Sequence, residues 1–382
     1  MKHIVITLLI LGTTAVLFGL YHGASLHYGD NPLMMDWDKE GPYVFYKNDS
    51  TVTVNYIKGN QSNGYAVEKK DYAVNTTIPA SCYFPLDLTS FEFFINTNYK
   101  RPASTYTDNN NILAISDIES SFKTFRDFLI QNKVIDVNLN WIFGKGHLVL
   151  VGDFVDRGFS ATQVLWFIYK LEQDAVSKGG VVHFILGNHE LKNMQGNYES
   201  ASPKYFHVAA ILQKQQTQLY DSTSVIGKWM ASKNAIELIN GTLFTHGGLH
   251  PGLLEHQLSL EKINMIISNN YYKPYYPKAE KTIEQLLTST NTGICWYRGY
   301  FKDNLSQDDV ERGLKQFNAK SIVVGHTLQT RVKERYNGKV IGIDVKHPKD
   351  YSKNFPSKKS EGLLIEDGKY YRILYNGQKE EI

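Results

Sequence analysis

Acid, amide and imidazole side chains recur in this chain at one kind of place, just after a short apolar run. The runs 112–115, 148–151 and 181–186 end in Ser116-Asp117-Ile118-Glu119, in Gly152-Asp153-Phe154-Val155-Asp156-Arg157-Gly158 and in Gly187-Asn188-His189-Glu190. Two more runs, 242–245 and 321–324, lead into His246-Gly247-Gly248 and Gly325-His326-Thr327. Oxygen and nitrogen donors without thiolate suit Mn, Fe or Zn rather than calcium. A pair of such ions needs a shared carboxylate, and Asp153, with two oxygens and a turn-permitting glycine before it, suits that role. Asp117 then binds one metal, while Asn188, His246 and His326 offer an amide oxygen and two imidazoles to the other. Two divalent cations neutralise phosphoryl oxygens and lower the pKa of a water that serves as nucleophile, so the chemistry expected of this set is phosphate-ester hydrolysis.

Breaking such an ester also needs a proton for the leaving oxygen. His189 points away from its neighbour Asn188 and is free to act as that acid, with Asp156 placed to hydrogen-bond the ring and hold it protonated. Arg157 follows in the same turn. Together with Arg298, from Trp296-Tyr297-Arg298-Gly299, it can clamp the non-bridging phosphate oxygens, and the amide of Asn188 adds a further polar contact.

The elements that must position these groups follow from the apolar pattern. Strand-like runs alternate with helical stretches at 120–132 and 161–176, a β-α-β-α-β layout in which function gathers at strand C-terminal ends. Residues 30–106 are rich in Tyr, Asn and Thr, with alternating stretches such as 51–56, and are expected to form a small β-rich accessory module carrying no chemistry. Residues 1–25 hold Lys2 and an apolar run, 4–20, expected to be a signal peptide or membrane anchor with a weak small-x-small cleavage pattern at Gly23-Ala24-Ser25. That makes the expected location extracytoplasmic: secreted, periplasmic or anchored to a membrane.

Bulk properties set outer bounds. In 382 residues, 42% are hydrophobic, enough for one large core. The 41 basic and 38 acidic residues are interspersed and leave a net charge of +3, so no nucleic-acid partner is expected. His147 and His183 lie in apolar runs and read as packed histidines, and Cys82 and Cys295 as packing residues, with a bridge between them left open.

Taken in order, Gly-Asp-x-x-Asp-Arg-Gly, Gly-Asn-His-Glu, His-Gly-Gly and Gly-His resemble the calcineurin-like metallophosphoesterases of the PPP protein phosphatase type. Trp296-Tyr297-Arg298 and Gly325-His326-Thr327 are similar to the bacterial-type branch, the Shewanella-like phosphatases. The resemblance covers about residues 110–375. It implies an α/β fold of two mixed sheets flanked by helices, and a serine/threonine-type phosphatase acting on a phosphorylated protein or small phosphoester. One departure stands out. The family's first motif is Asp-x-His, whereas this chain has Asp117-Ile118-Glu119. As a ligand, Glu119 would add charge and shift preference toward Mn, Mg or Fe, Mn being favoured; the competing reading has it cap the next helix. A degraded first metal site would leave a phosphate- or phosphopeptide-binding module, and within the enzymes a phosphodiesterase or nucleoside polyphosphate hydrolase also fits the motifs.

Overall fold

The computed structural model describes residues 2–22, 24, 26–28 (backbone only), 37–277, 279–302 and 305–382. Of the expected cleavage pattern, Gly23 and Ser25 lie outside them.

Two six-stranded mixed sheets stack face to face. The first has the order Val181–Ile185, His147–Val151, Ile112–Ile115, Glu361–Glu366, Lys369–Leu374, Lys379–Glu381, its first three strands parallel and the rest antiparallel. The second runs Lys333–Arg335, Val340–Gly342, Ser321–Val324, Thr242–Thr245, Ile236–Ile239, Thr105–Tyr106. Period-two alternation divides each inner strand between two cores. Ile112 and Ala114 face the opposite sheet, in a cluster with Val149, Val151, Phe244, Val323 and Ile341. Leu113, Ile115, Leu148 and Leu150 face outward against helices. Strands buried on both sides have no polar face, which is why they read as unbroken apolar runs.

The helices Phe122–Gln131 and Ala161–Ser177 cover the first sheet, as the alternation of strand-like and helical stretches predicts. Upstream, Glu40–Asn48, Thr51–Asn60 and Gly64–Ala73 form a three-stranded antiparallel sheet, and Ile78–Phe84 pairs with Thr89–Ile95. Their apolar residues join the core of the larger body. Phe91 packs on Phe122 and Phe167 with ring centroids 5.8 and 5.4 Å apart, and Phe93 stacks on Trp166 at 5.0 Å. Glu40, buried, meets Lys204 at 2.9 Å and accepts from the Tyr43 hydroxyl at 2.8 Å.

His147 and His183 are buried but not inert packing. They form a chain from Asp108 through His147 Nε2 (2.9 Å), His147 Nδ1 to His183 Nε2 (2.8 Å), and His183 Nδ1 to Glu237 (2.6 Å), linking the two sheets away from the strand C-termini. Both cysteines are free: Cys82 Sγ donates to Gly41 O and Cys295 Sγ to Leu186 O. The helix Lys2–Tyr21 has a mean hydropathy of 2.3 and buries nothing against the rest of the chain, so it is long and apolar enough to cross a membrane.

Candidate active site

Six strands end at one cavity. Their C-terminal residues bring Asp117, Asp153, Asn188 with His189, His326 and Asp344 to its wall, with His246 buried behind it beside Asp153. The cavity, about 470 Å³, also opens onto Arg157, Arg298, Lys192, Lys349 and Trp296. Turns this tight force the backbone into the left-handed region at Asp117, Asp153, Asp156, Arg157 and His326, with φ between 56° and 67°. Gly152, at φ 80°, could not carry a side chain, because a Cβ there would sit 2.6 Å from both Gly187 Cα and His246 Nδ1.

Glu190 is the tie between two of these loops. Fully buried, it accepts from the N–H groups of Asp153 (2.9 Å), Phe154 (2.8 Å) and Gly187 (2.8 Å), so the Asp153 turn and the Asn188 turn are fixed as one unit. Nothing local to the Gly187-Asn188-His189-Glu190 motif signals that role, because the groups Glu190 accepts from at Asp153 and Phe154 lie more than thirty residues upstream.

His246 Nδ1 donates to Val151 O at 2.7 Å, which turns Nε2 toward Asp153 Oδ2 (3.1 Å) and Asn188 Oδ1 (3.0 Å). Fixing one ring nitrogen on a backbone carbonyl while the other faces oxygen donors is how a metal-ligating histidine is oriented. Nitrogen and oxygen atoms of Asp153, His246 and His326 all lie within 4.8 Å of one another. Burial disfavours charge on His246, yet Asp153 and Asp117 outweigh it and push the imidazole up to about 10. The anionic surroundings thus attract positive charge to the point where a divalent ion would sit, and the donor set fits one. Asp117 Oδ2 accepts from the His326 N–H at 3.2 Å.

Beside this cluster stands a second constellation. His189 Nδ1 donates to Asp156 Oδ2 at 2.7 Å, and the His189 backbone N–H to Asp153 Oδ1 at 3.0 Å. The other oxygen of Asp156 accepts from Asn193 Nδ2 at 2.8 Å. Burial lowers the His189 pKa, but Asp153 and Asp156 more than compensate, so the ring holds a proton more tightly than a free histidine. Its Nε2 lies 3.2 Å from an Arg157 nitrogen, at the cavity wall. Arg298, half-buried, donates to His326 O. All ten residues singled out from sequence are thereby gathered at one place.

Glu119 does not cap the following helix. The exposed N–H groups of that helix, at Lys123 and Thr124, are taken by Asp350 at 2.8 and 3.1 Å. Glu119 instead pairs with Arg157 and lies 3.6 Å from Lys349. Sequence reasoning missed Asp344. It follows the apolar residues 340–343 as the other site residues follow their strands, but the run is short and interrupted by Gly342. Burial pushes the Asp344 carboxyl up to about 7, with Glu119 and Asp153 adding to the effect against the pull of His246.

A fold of two stacked sheets with this arrangement of side chains defines the class, and the chain belongs to the calcineurin-like phosphoesterase family, whose profile matches residues 111–329. Its relatives include Shewanella-like protein phosphatase 1 of Plasmodium berghei (strain Anka), 29% identical over 62% of this chain and 66% of that one. Shewanella-like protein phosphatase 2 of Arabidopsis thaliana is 22% identical over 75% and 81%. Among solved structures, the cold-active protein-tyrosine phosphatase of a psychrophilic Shewanella species is 30% identical, with 90% of this chain and 99% of that chain aligned at a TM-score of 0.77.

Proposed function

We propose that this protein is a metal-dependent phosphomonoesterase that acts on a phosphorylated protein or a small phosphoester. The observation that carries the reading is the meeting of Asp153, His246, His326 and Asn188 at one point with the His189–Asp156 pair beside it. Asp153 would be shared by two divalent cations, Asp117 holding one and Asn188, His246 and His326 the other, with Mn favoured. When bound, such a pair supplies charge neutralisation and a nucleophile at neutral pH.

The chain's own groups do the rest. Arg157 and Arg298 draw the phosphate in and spread the charge of the transition state. His189, held by Asp156, donates a proton from Nε2 to the departing oxygen. Asn193 and Glu190 fix these groups before substrate arrives, which lowers the reorganisation needed during reaction. A serine/threonine-type preference is suggested by the PPP-type motifs, whereas the solved relative is named a tyrosine phosphatase. The phosphate-handling groups serve either substrate. The helix Lys2–Tyr21 supports placement of the catalytic body beyond or at a membrane.

The test is hydrolysis of p-nitrophenyl phosphate by the purified protein with Mn, alongside elemental analysis. About two metals per chain and loss of turnover in Asp153→Asn support the reading. Retained phosphopeptide binding with one metal or none, and no hydrolysis across several divalent ions, would establish the binding-module alternative instead.

A further inference from the structure

Asp344 is a buried carboxylate that the site described so far leaves without a task. The strands Ser321–Val324 and Val340–Gly342 are parallel neighbours with Val324 opposite Gly342. His326 and Asp344 therefore stand at matching positions, two residues beyond the paired ends, on strands about 4.8 Å apart. Asp117 closes the group from the other sheet through its 3.2 Å bond to the His326 N–H. Asp344 is 7% exposed and lines the cavity, yet its carboxylate accepts no hydrogen bond and forms no ion pair with any described residue; only its backbone carbonyl is bonded, to Gln329 N–H. A carboxylate taken out of water without a donor carries a desolvation penalty that a cation relieves. Glu119, at the position where the family places histidine, has both its oxygens turned to Arg157 and Lys349.

We propose that Asp344 is a ligand of the metal ion on the Asp117 side, taking up the coordination that Glu119, engaged with Arg157, does not supply. Glu119 is then a positioning residue for the Arg157 guanidinium. The ion on that side is held by carboxylates, which favours Mn, Mg or Fe over Zn. This inference rests on the dimetal reading above, and its test separates the two.

The full chain is stripped with chelator and titrated with MnCl₂ by calorimetry, with bound metal counted by elemental analysis and the exchange-coupled manganese pair read by electron paramagnetic resonance. The wild-type chain should take up two ions. Asp344→Asn should weaken one of the two by at least about tenfold, the scale seen when a metal's supporting shell is disturbed, and lose the coupled signal. In that background Glu119→His, which restores the family's imidazole, should bring the second ion back. If Asp344→Asn fails to fold by circular dichroism, Asp344→Glu keeps the charge and moves the oxygen, and a shifted affinity at one ion alone supports the assignment. Two ions bound with unchanged affinity in the substituted chain overturn it while leaving the dimetal reading intact. A wild-type chain that binds fewer than two ions defeats the dimetal reading itself.

Discussion

Replacing Asp156 by asparagine isolates the proton donor from the rest of the site. Each carboxylate oxygen of Asp156 faces a donor, His189 Nδ1–H at 2.7 Å and Asn193 Nδ2 at 2.8 Å. A carboxamide has one oxygen and one NH₂, so whichever way it turns, one of those donors meets another donor. The bond to His189 is also charge-assisted, and such bonds are worth about 1.5–3 kcal/mol. If that stabilisation is spent on the protonated ring, its loss corresponds to a ~10- to 100-fold fall in the rate of any step that needs the His189 proton. The step needs it only when the leaving oxygen is a poor one. Steady-state kinetics with a phosphoserine peptide should therefore show the full ~10- to 100-fold loss in kcat, whereas p-nitrophenyl phosphate, whose phenolate departs unaided, should lose less than about threefold. Equal losses on both substrates would mean that Asp156 supports the metal cluster or the loop rather than the acid. No loss on either would show that the Asp156 carboxylate does not support the acid.

Three further outcomes follow from the geometry. Arg157→Ala should lower kcat/KM by about 10²-fold, the usual cost of deleting an anion-stabilising donor, and should weaken inhibition by inorganic phosphate in parallel; unchanged inhibition would place Arg157 outside the phosphate site. Chelation should abolish hydrolysis, Mn should restore it, and Mn at a hundredfold excess over its Kd should raise unfolding stability by about 2.7 kcal/mol for each ion bound, in calorimetry; a melt indifferent to metal would contradict a preformed site. His347 is buried with Nε2–H donating to Ser116 O at 3.0 Å, and burial lowers it to about 4. The unfolded chain takes up a proton near pH 6.5 that the folded chain refuses, so stability is present above about 6.5 and falls by about 3 kcal/mol as pH drops to 4. Denaturant melts of His347→Gln should lose most of that slope; an identical slope would assign the acid sensitivity elsewhere.

What the sequence disclosed, and what it hid, divides along the range of the interactions involved. Strands buried on both faces announce themselves as apolar runs, so the five ends carrying Asp117, Asp153, Asn188, His246 and His326 were legible without coordinates. The strand Val340–Gly342 is three residues long, and its place beside Ser321–Val324 depends on pairing rather than on local pattern, so Asp344 stayed out of sight. Glu119 was ambiguous for a related reason. Whether it capped the next helix turned on a competitor, Asp350, more than two hundred residues downstream. The N-terminal strands read as a β-rich accessory module because their alternation is local, while the packing of Phe91 and Phe93 on Phe167 and Trp166 has no local signal.

The backbone of the site carries a cost of its own. Left-handed φ values at Asp117, Asp153, Asp156, Arg157 and His326 are each a conformation that costs on the order of 1–3 kcal/mol for a residue with a side chain, least for aspartate. Glycine would relieve that strain at every one of them. A chain selected for stability alone would place glycine there, as it does at Gly152 beside Asp153. The residues present instead bring charge into a cavity where like charges face one another, and Asp117 and Asp344 make the folded state less favourable still without a cation beside them. Two cores, one on each side of the strands, hold these turns against both penalties. Sequence positions that work against folding in two ways, at the ends of elements that favour it strongly, are explained by the chemistry proposed for them.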